Sequence, residues 1–501
     1  MSGPAVLPDL LDHAVATTAE RTAVSHGEAT ATYADVGAAS RRVARRLLAL
    51  GVGRGDRVVI AAAAHLGVPA LLFGCARAGA VFCVLNEQAP AVGYAHVLDD
   101  AEPVLVVTDN ADARRLAGER GIPVLGPDLG DGPEDGDGPG DGDLPAGPLP
   151  VDPVCLIYTS GSTGMPKAVV STHAQMVFAA TAIQSRLSYQ PADVVYSALP
   201  LFFDYGLYQI LLATLAGARV HLATAAEAGA GLLADLHRTG ATVLPAVPGL
   251  ARGLARLLSR PGARPPALRL MTNTGSAMPD ATVHELRRGI PGLGVQLMFG
   301  LTECKRTTIM PVDEDLLRPG SVGRALPGSE VFAADPDGRR LPPGEVGELI
   351  VRGPNVMAGY WRRPELTAQR FPRADGLFPQ LRTGDYGWVD EDGYLYFAGR
   401  RDDLYKSHGF RVSATEVEAA AQRVAGVDAA AVLPPGAERA EATLFAVTRL
   451  AAHEVLDRLR LELEAFKVPD TCVVVAELPL TPNGKIDRAG LTRVLAGGSH
   501  V

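Results

Sequence analysis

Tyr158-Thr-Ser-Gly-Ser-Thr-Gly-Met-Pro-Lys167 joins an apolar run, residues 154–158, to a loop of hydroxyls and glycines that closes on a lysine. The run reads as a buried strand. Gly161 and Gly164 let an anionic group approach backbone N–H groups, while Thr159, Ser160, Ser162 and Thr163 offer hydroxyls and Lys167 a mobile positive charge. The spacing is not that of a P-loop, where Gly-Lys-Ser/Thr directly precedes a helix, because Pro166 stands before the lysine. Outward from this loop, similar runs recur at 57–62, 104–109, 194–199 and 242–247, separated by longer segments rich in Ala, Leu and Arg. That alternation predicts βαβ units and an α/β core.

The chain has 501 residues, more than one ordinary core holds, and its 47% hydrophobic content is enough for two or more domains. A net charge of -9 without any basic run argues against nucleic acid and against an anionic membrane as partner. Cys75, Cys83, Cys155, Cys304 and Cys472 are odd in number and lack metal-ligand spacing, so they read as ordinary thiols of a reducing compartment. No basic leader with an apolar run is present, and no apolar stretch reaches the roughly 18 to 20 residues of a membrane span. A cytoplasmic protein is expected. Residues 126–150, dominated by Gly, Asp and Pro, read as a mobile surface loop. After Gly399-Arg-Arg-Asp-Asp-Leu-Tyr-Lys406 the character changes to a small α+β unit, with helices expected at 414–424 and 452–466 and strands at 429–433 and 443–448. The boundary is expected at Asp402, giving domains 1–401 and 402–501.

A second lysine stands out in Leu480-Thr-Pro-Asn-Gly-Lys-Ile-Asp-Arg488, where Lys485 sits on a turn of the small domain. Between it and the loop lie Phe299-Gly-Leu-Thr-Glu303, Leu381-Arg-Thr-Gly-Asp385 and Gly399-Arg-Arg-Asp402. These five segments, in this order, resemble those of the adenylate-forming superfamily, which includes acyl-CoA synthetases, luciferases and peptide-synthetase adenylation domains. The resemblance spans residues 158 to 488 and implies a large N-terminal adenylate-forming core of βαβ sheets with a small mobile α+β C-terminal domain.

The resemblance also implies roles. The loop from Thr159 to Gly164, with Lys167, would hold the ATP phosphates. Phe299 would stack on adenine, with Gly275 and Ser276 on its other side. Thr302 would donate to the α-phosphate, and Glu303 would be a hard oxygen ligand for Mg2+. Asp385, assisted by Arg400, would accept from the ribose hydroxyls. Lys485 would bridge the attacking carboxylate and the α-phosphate. Asp402 would be the hinge about which the small domain swivels, after which Lys406 and Gly409 would line the access of a phosphopantetheine thiol.

Substrate choice is expected from Pro200-Leu-Phe-Phe-Asp-Tyr-Gly-Leu-Tyr208 and from the residues after Glu303. Asp204 aligns with the aspartate by which amino-acid-activating members bind the substrate ammonium. A buried aspartate lacking a cation costs several kcal/mol, so an ammonium partner is the economical inference. Lys305 and Arg306 then invite a second, non-reacting carboxylate, since an arginine fork holds one by two parallel bonds. That pattern describes an amino diacid. It is similar to stand-alone β-amino-acid adenylation enzymes of macrolactam polyketide pathways that take 3-methylaspartate, with Tyr205, Tyr208, Thr272, Thr274 and Met298 shaping a small polar pocket. The expected reaction is adenylation followed by transfer to a discrete acyl carrier protein. An acyl-CoA synthetase, an activator of a neutral amino acid such as proline, a luciferase-like oxygenase and a non-catalytic nucleotide sensor stand as alternatives.

Overall fold

The computed structural model describes residues 3–129, 147–159, 165–224, 226–275, 278, 280–374, 378–400, 404–407, 410–436, 439, 441–479 and 486–496. The described residues fall into two compact units: residues 1–87, 101–158 and 168–399, and residues 88–100, 159–167 and 400–501. The mobile loop expected at 126–150 lies mostly outside the described residues, as do the loop residues 160–164.

The first unit is built on two sheets. One contains six parallel strands in the spatial order Thr22–His26, Arg219–Leu222, Val194–Ser197, Val243–Ala246, Leu270–Asn273 and Gly294–Phe299. Val243–Ala246 and Leu270–Asn273 are buried throughout. Covering by helices on both faces explains why such strands read as continuous apolar runs rather than as alternation. Beyond Phe299 the sheet continues antiparallel through Thr308–Ile309, Ser321–Ala325, Tyr394–Arg400, Phe378–Val389, Gly347–Arg352 and Glu330–Ala334. The second sheet has seven strands, with Arg57–Ala61 parallel to both Val81–Val84 and Leu105–Thr108 and the strand Pro153–Thr159 next to Val81–Val84. The helices Leu7–Thr18, Tyr33–Ala49, Val68–Arg77, His173–Leu187 and Asp204–Ala216 share one large apolar core.

The second unit holds the hairpin Leu404–Ser407 with Phe410–Ser413 and a three-stranded sheet of Val427–Leu433, Thr443–Thr448 and Thr471–Val475. Helix Ala414–Arg423 follows the hairpin, near the expected position. The helix expected over 452–466 stops at Leu459. A separate turn, Ala465–Lys467, then carries Lys467 into a buried ion pair with Glu416 at 2.8 Å and Glu464 at 3.0 Å. Apolar spacing could not foresee this, because the break serves a charge rather than a hydrophobic face. No helix among the described residues is long and apolar enough to cross a membrane.

Candidate active site

Three of the parallel strands carry the site residues, with Val243–Ala246 lying between the first and the second. Val194–Ser197 leads through residues 198–203 into the helix Asp204–Ala216, whose first residue is Asp204. Leu270–Asn273 ends at Thr274 and Gly275, and Gly294–Phe299 ends at the turn carrying Thr302 to Arg306. Ligands in α/β sheets bind at the carboxyl ends of the strands, because the loops there converge. A helix N-terminus also favours an anion, which suits a carboxylate at position 204.

Charges are concentrated at these strand ends. Arg306 Nη1 donates to Asp204 Oδ2 at 2.6 Å, with the guanidinium side chain 1% exposed and the carboxylate 14%. The guanidinium carbon lies 4.7 Å from the centre of the Tyr205 ring, a cation–π contact that holds the arginine from a second side. Tyr205 is itself fixed, its hydroxyl bonded to the Thr272 carbonyl at 2.8 Å and to Thr272 Oγ1 at 2.9 Å. Lys305 is 1% exposed and its Nζ lies 5.8 Å from the Tyr208 ring centre. Among the described residues Nζ has no hydrogen-bond partner, and neither do Arg306 Nε, Arg306 Nη2 and Tyr208 Oη. Burial holds the Lys305 ammonium below the ordinary lysine range, while the nearby Asp204 carboxylate pulls the other way. Burial likewise pushes the Tyr205 phenol up to about 12.

The sequence assigns Arg306 to a carboxylate and Asp204 to an amine; the structure bonds the two side chains to each other. Met298 and Thr274 are buried beside these strand ends, at 5% and 4% exposure. Two supporting residues escape the sequence reading. Asn355, fully buried, donates from Nδ2 to the carbonyls of Cys304 at 3.1 Å and Arg306 at 3.2 Å, bracing the turn that carries Lys305. Cys155, read as an ordinary thiol, lies close enough to feel both Lys305 and Asp204, and burial raises it to about 12. Both are distant in sequence from the segment they adjoin, so no local pattern marks them.

Among the residues expected to meet the nucleotide, Phe299 is buried and tilted against Phe397, ring centres 5.7 Å apart. Glu303 is buried, and the Tyr360 hydroxyl donates to its Oε1 at 2.8 Å. A buried carboxylate supplies the hard oxygen that Mg2+ prefers, so the donor chemistry fits that ion. Thr302 is half-buried, and Gly275 has φ of +88°. Asp385 is buried, with its backbone N–H donating to Thr383 Oγ1 at 3.1 Å. In the second unit Thr159 Oγ1 donates to the Lys167 carbonyl at 3.4 Å, and Lys406 is exposed on its hairpin. Ser160, Gly161, Ser162, Thr163, Gly164, Ser276, Asp402, Gly409 and Lys485 lie outside the described residues, and so does the side chain of Arg400. Elsewhere in the first unit, His221, Glu227 and Asp235 bring ligand atoms within 4.8 Å of one another, but Arg238 pairs with both carboxylates and closes the cluster.

The pattern of the AMP-binding enzyme matches residues 11–361, and that of the AMP-binding enzyme C-terminal domain matches residues 416–485. The crystal structure of VinN is 40% identical over 79% of this chain and 98% of that one, with a TM-score of 0.72. VinN has also been solved with L-aspartate (38% identity, 79% and 98% covered, TM-score 0.69) and with 3-methylaspartate (35%, 78% and 98%, 0.65). A feruloyl-CoA synthase of Amycolatopsis sp is 33% identical, covering 94% of this chain and 95% of its own. The ligase of L-proline to the L-prolyl-carrier protein from Pseudomonas fluorescens is 29% identical over 98% and 100% of the two chains.

Proposed function

The chain belongs to the AMP-binding enzyme family and is an adenylating, AMP-forming ligase; from that premise we propose that it activates an amino acid bearing two carboxylates, an acidic β-amino acid of the 3-methylaspartate type. The aminoacyl group then passes to the phosphopantetheine thiol of a discrete carrier protein.

The observation that carries this reading is Lys305, a buried cation with no acceptor among the described residues, next to an Asp204–Arg306 pair. A neutral side chain against Lys305 would leave a buried donor unsatisfied, at a penalty of about 1–3 kcal/mol and more for its charged form. A carboxylate answers it. The VinN complexes with L-aspartate and 3-methylaspartate support the same substrate class. Asp204 Oδ1, not engaged by Arg306, is left to accept from the substrate ammonium.

In this reading the reacting carboxylate attacks the α-phosphorus of ATP, forming the acyl–phosphate bond and releasing pyrophosphate. Phe299, Gly275 and Ser276 take the adenine, Asp385 and Arg400 the ribose, Thr302 the α-phosphate, and residues 159–164 with Lys167 the outer phosphates. Mg2+ held by Glu303 would neutralise part of the triphosphate charge. Lys485 stabilises the charge that builds during displacement, and Asp402, Lys406 and Gly409 serve the second half-reaction. The 33% identity to a feruloyl-CoA synthase favours one competing acceptor, coenzyme A.

ATP–pyrophosphate exchange over a panel of α- and β-amino acids tests the substrate. Exchange should depend on amino acids with two carboxylates; exchange driven only by neutral amino acids, fatty acids or aryl acids overturns the reading. Thioester formation on a carrier protein against coenzyme A separates the two acceptors.

A further inference from the structure

Asp204 and Lys305 differ in one respect that bears on how the substrate is chosen. Asp204 already has its counter-ion, since Arg306 Nη1 bonds it at 2.6 Å with only 1% of the arginine side chain exposed. Lys305 has no such partner among the described residues. Nor is it alone: the partnerless buried atoms of this group are Lys305 Nζ, Arg306 Nε, Arg306 Nη2 and Tyr208 Oη, three of them pure donors and the fourth able to donate. What goes unsatisfied in this group is therefore donors rather than acceptors.

A ligand group gains most where it relieves an unsatisfied buried atom, and little where the atom is already satisfied. An incoming ammonium meets a carboxylate whose charge Arg306 has largely compensated and whose side chain is 14% exposed. An incoming carboxylate meets the desolvated Lys305 amine, which has no acceptor among the described residues, with the Tyr208 hydroxyl beside it. Building on the acidic amino acid reading, we propose that the second carboxylate, not the amine, is the dominant recognition element, received at Lys305, and that Arg306 is a positioning residue that holds Asp204 oriented and charge-compensated before substrate arrives.

Two probes separate the contributions: methylsuccinate, a diacid without the amine, and 3-aminobutanoate, an amino acid without the second carboxylate. Calorimetric titration of the wild-type protein without ATP gives the dissociation constant of each. Methylsuccinate should bind at least about tenfold more tightly. Equal affinity, tighter binding of 3-aminobutanoate, or no measurable binding of methylsuccinate overturns the inference. Acidic amino acids driving exchange while 3-aminobutanoate binds better would sink it and leave the substrate reading standing; exchange with neutral amino acids only would sink that reading itself. A second measurement addresses Arg306. In Arg306→Met, Asp204 loses its compensation, repels a diacid and attracts an ammonium more strongly, so the methylsuccinate affinity should fall while that of 3-aminobutanoate holds or rises. AMP binding reports that the variant is folded. A parallel loss of both probes would mark Arg306 as merely structural and defeat its positioning role.

Discussion

Lys305 has a left-handed backbone, φ +61°, uncommon for a residue with a side chain. Its carbonyl oxygen turns towards Gly300, where an added Cβ would lie 2.0 Å from that oxygen and 2.9 Å from Arg306 Cα. Both obstacles are backbone, so neither can rotate away. Gly300→Ala is expected to displace the turn that aims Lys305 and Arg306, costing about 1–3 kcal/mol of stability. Its KM for the amino acid should rise more than its KM for ATP. Steady-state kinetics and a denaturation curve check this, and a variant with both KM values unchanged would contradict the tight turn. At this scale the sequence supplied the identities of the charges, because Asp204, Lys305 and Arg306 are conspicuous beside their motifs. It did not supply their pairing. Arg306 and Asp204 are 102 residues apart, and no spacing rule connects them.

Among the elements, the N-termini of two helices meet at His173. Leu7, at the start of the helix Leu7–Thr18, donates its backbone N–H to His173 Nδ1 at 3.1 Å, so this ring nitrogen carries no proton. Burial holds the imidazole down to about 4 from an ordinary 6.5. A histidine with a depressed folded pKa binds more protons when unfolded, so its contribution to stability is full above about pH 6.5 and is lost as pH falls towards 4. The shift corresponds to roughly 3 kcal/mol. Denaturant unfolding between pH 7 and 4.5 should show wild type losing stability more steeply than His173→Gln; parallel curves would refute a neutral buried histidine. Element assignment followed burial. The parallel strands near 57–62, 104–109, 194–199 and 242–247 were legible because both faces are covered and the runs are uniformly apolar. The antiparallel strands between Thr308 and Arg400 were not read as strands. Phe378–Val389 alternates buried with half-buried residues, a weaker signal.

At the scale of the whole molecule, five short segments spread from residue 158 to residue 488 were enough to identify the superfamily, and the matches over residues 11–361 and 416–485 agree. Lys485 belongs to the later of these regions. Lys485→Ala should reduce adenylation roughly 10²–10³-fold, the loss typical when one donor to a developing charge is removed. Thioester formation from supplied adenylate should be spared. Measuring the half-reactions separately checks this, and equal loss in both would deny the lysine a role confined to the first. The sequence by itself determined the superfamily, the α/β class and which residues are candidates, since motifs and apolar runs are local properties of a chain. Only the tertiary structure decided that Arg306 compensates Asp204 while Lys305 lacks an acceptor among the described residues. The physical reason is strand order: the sheet sets Val194–Ser197, Val243–Ala246, Leu270–Asn273 and Gly294–Phe299 side by side in that order, and which charges meet at their ends depends on it.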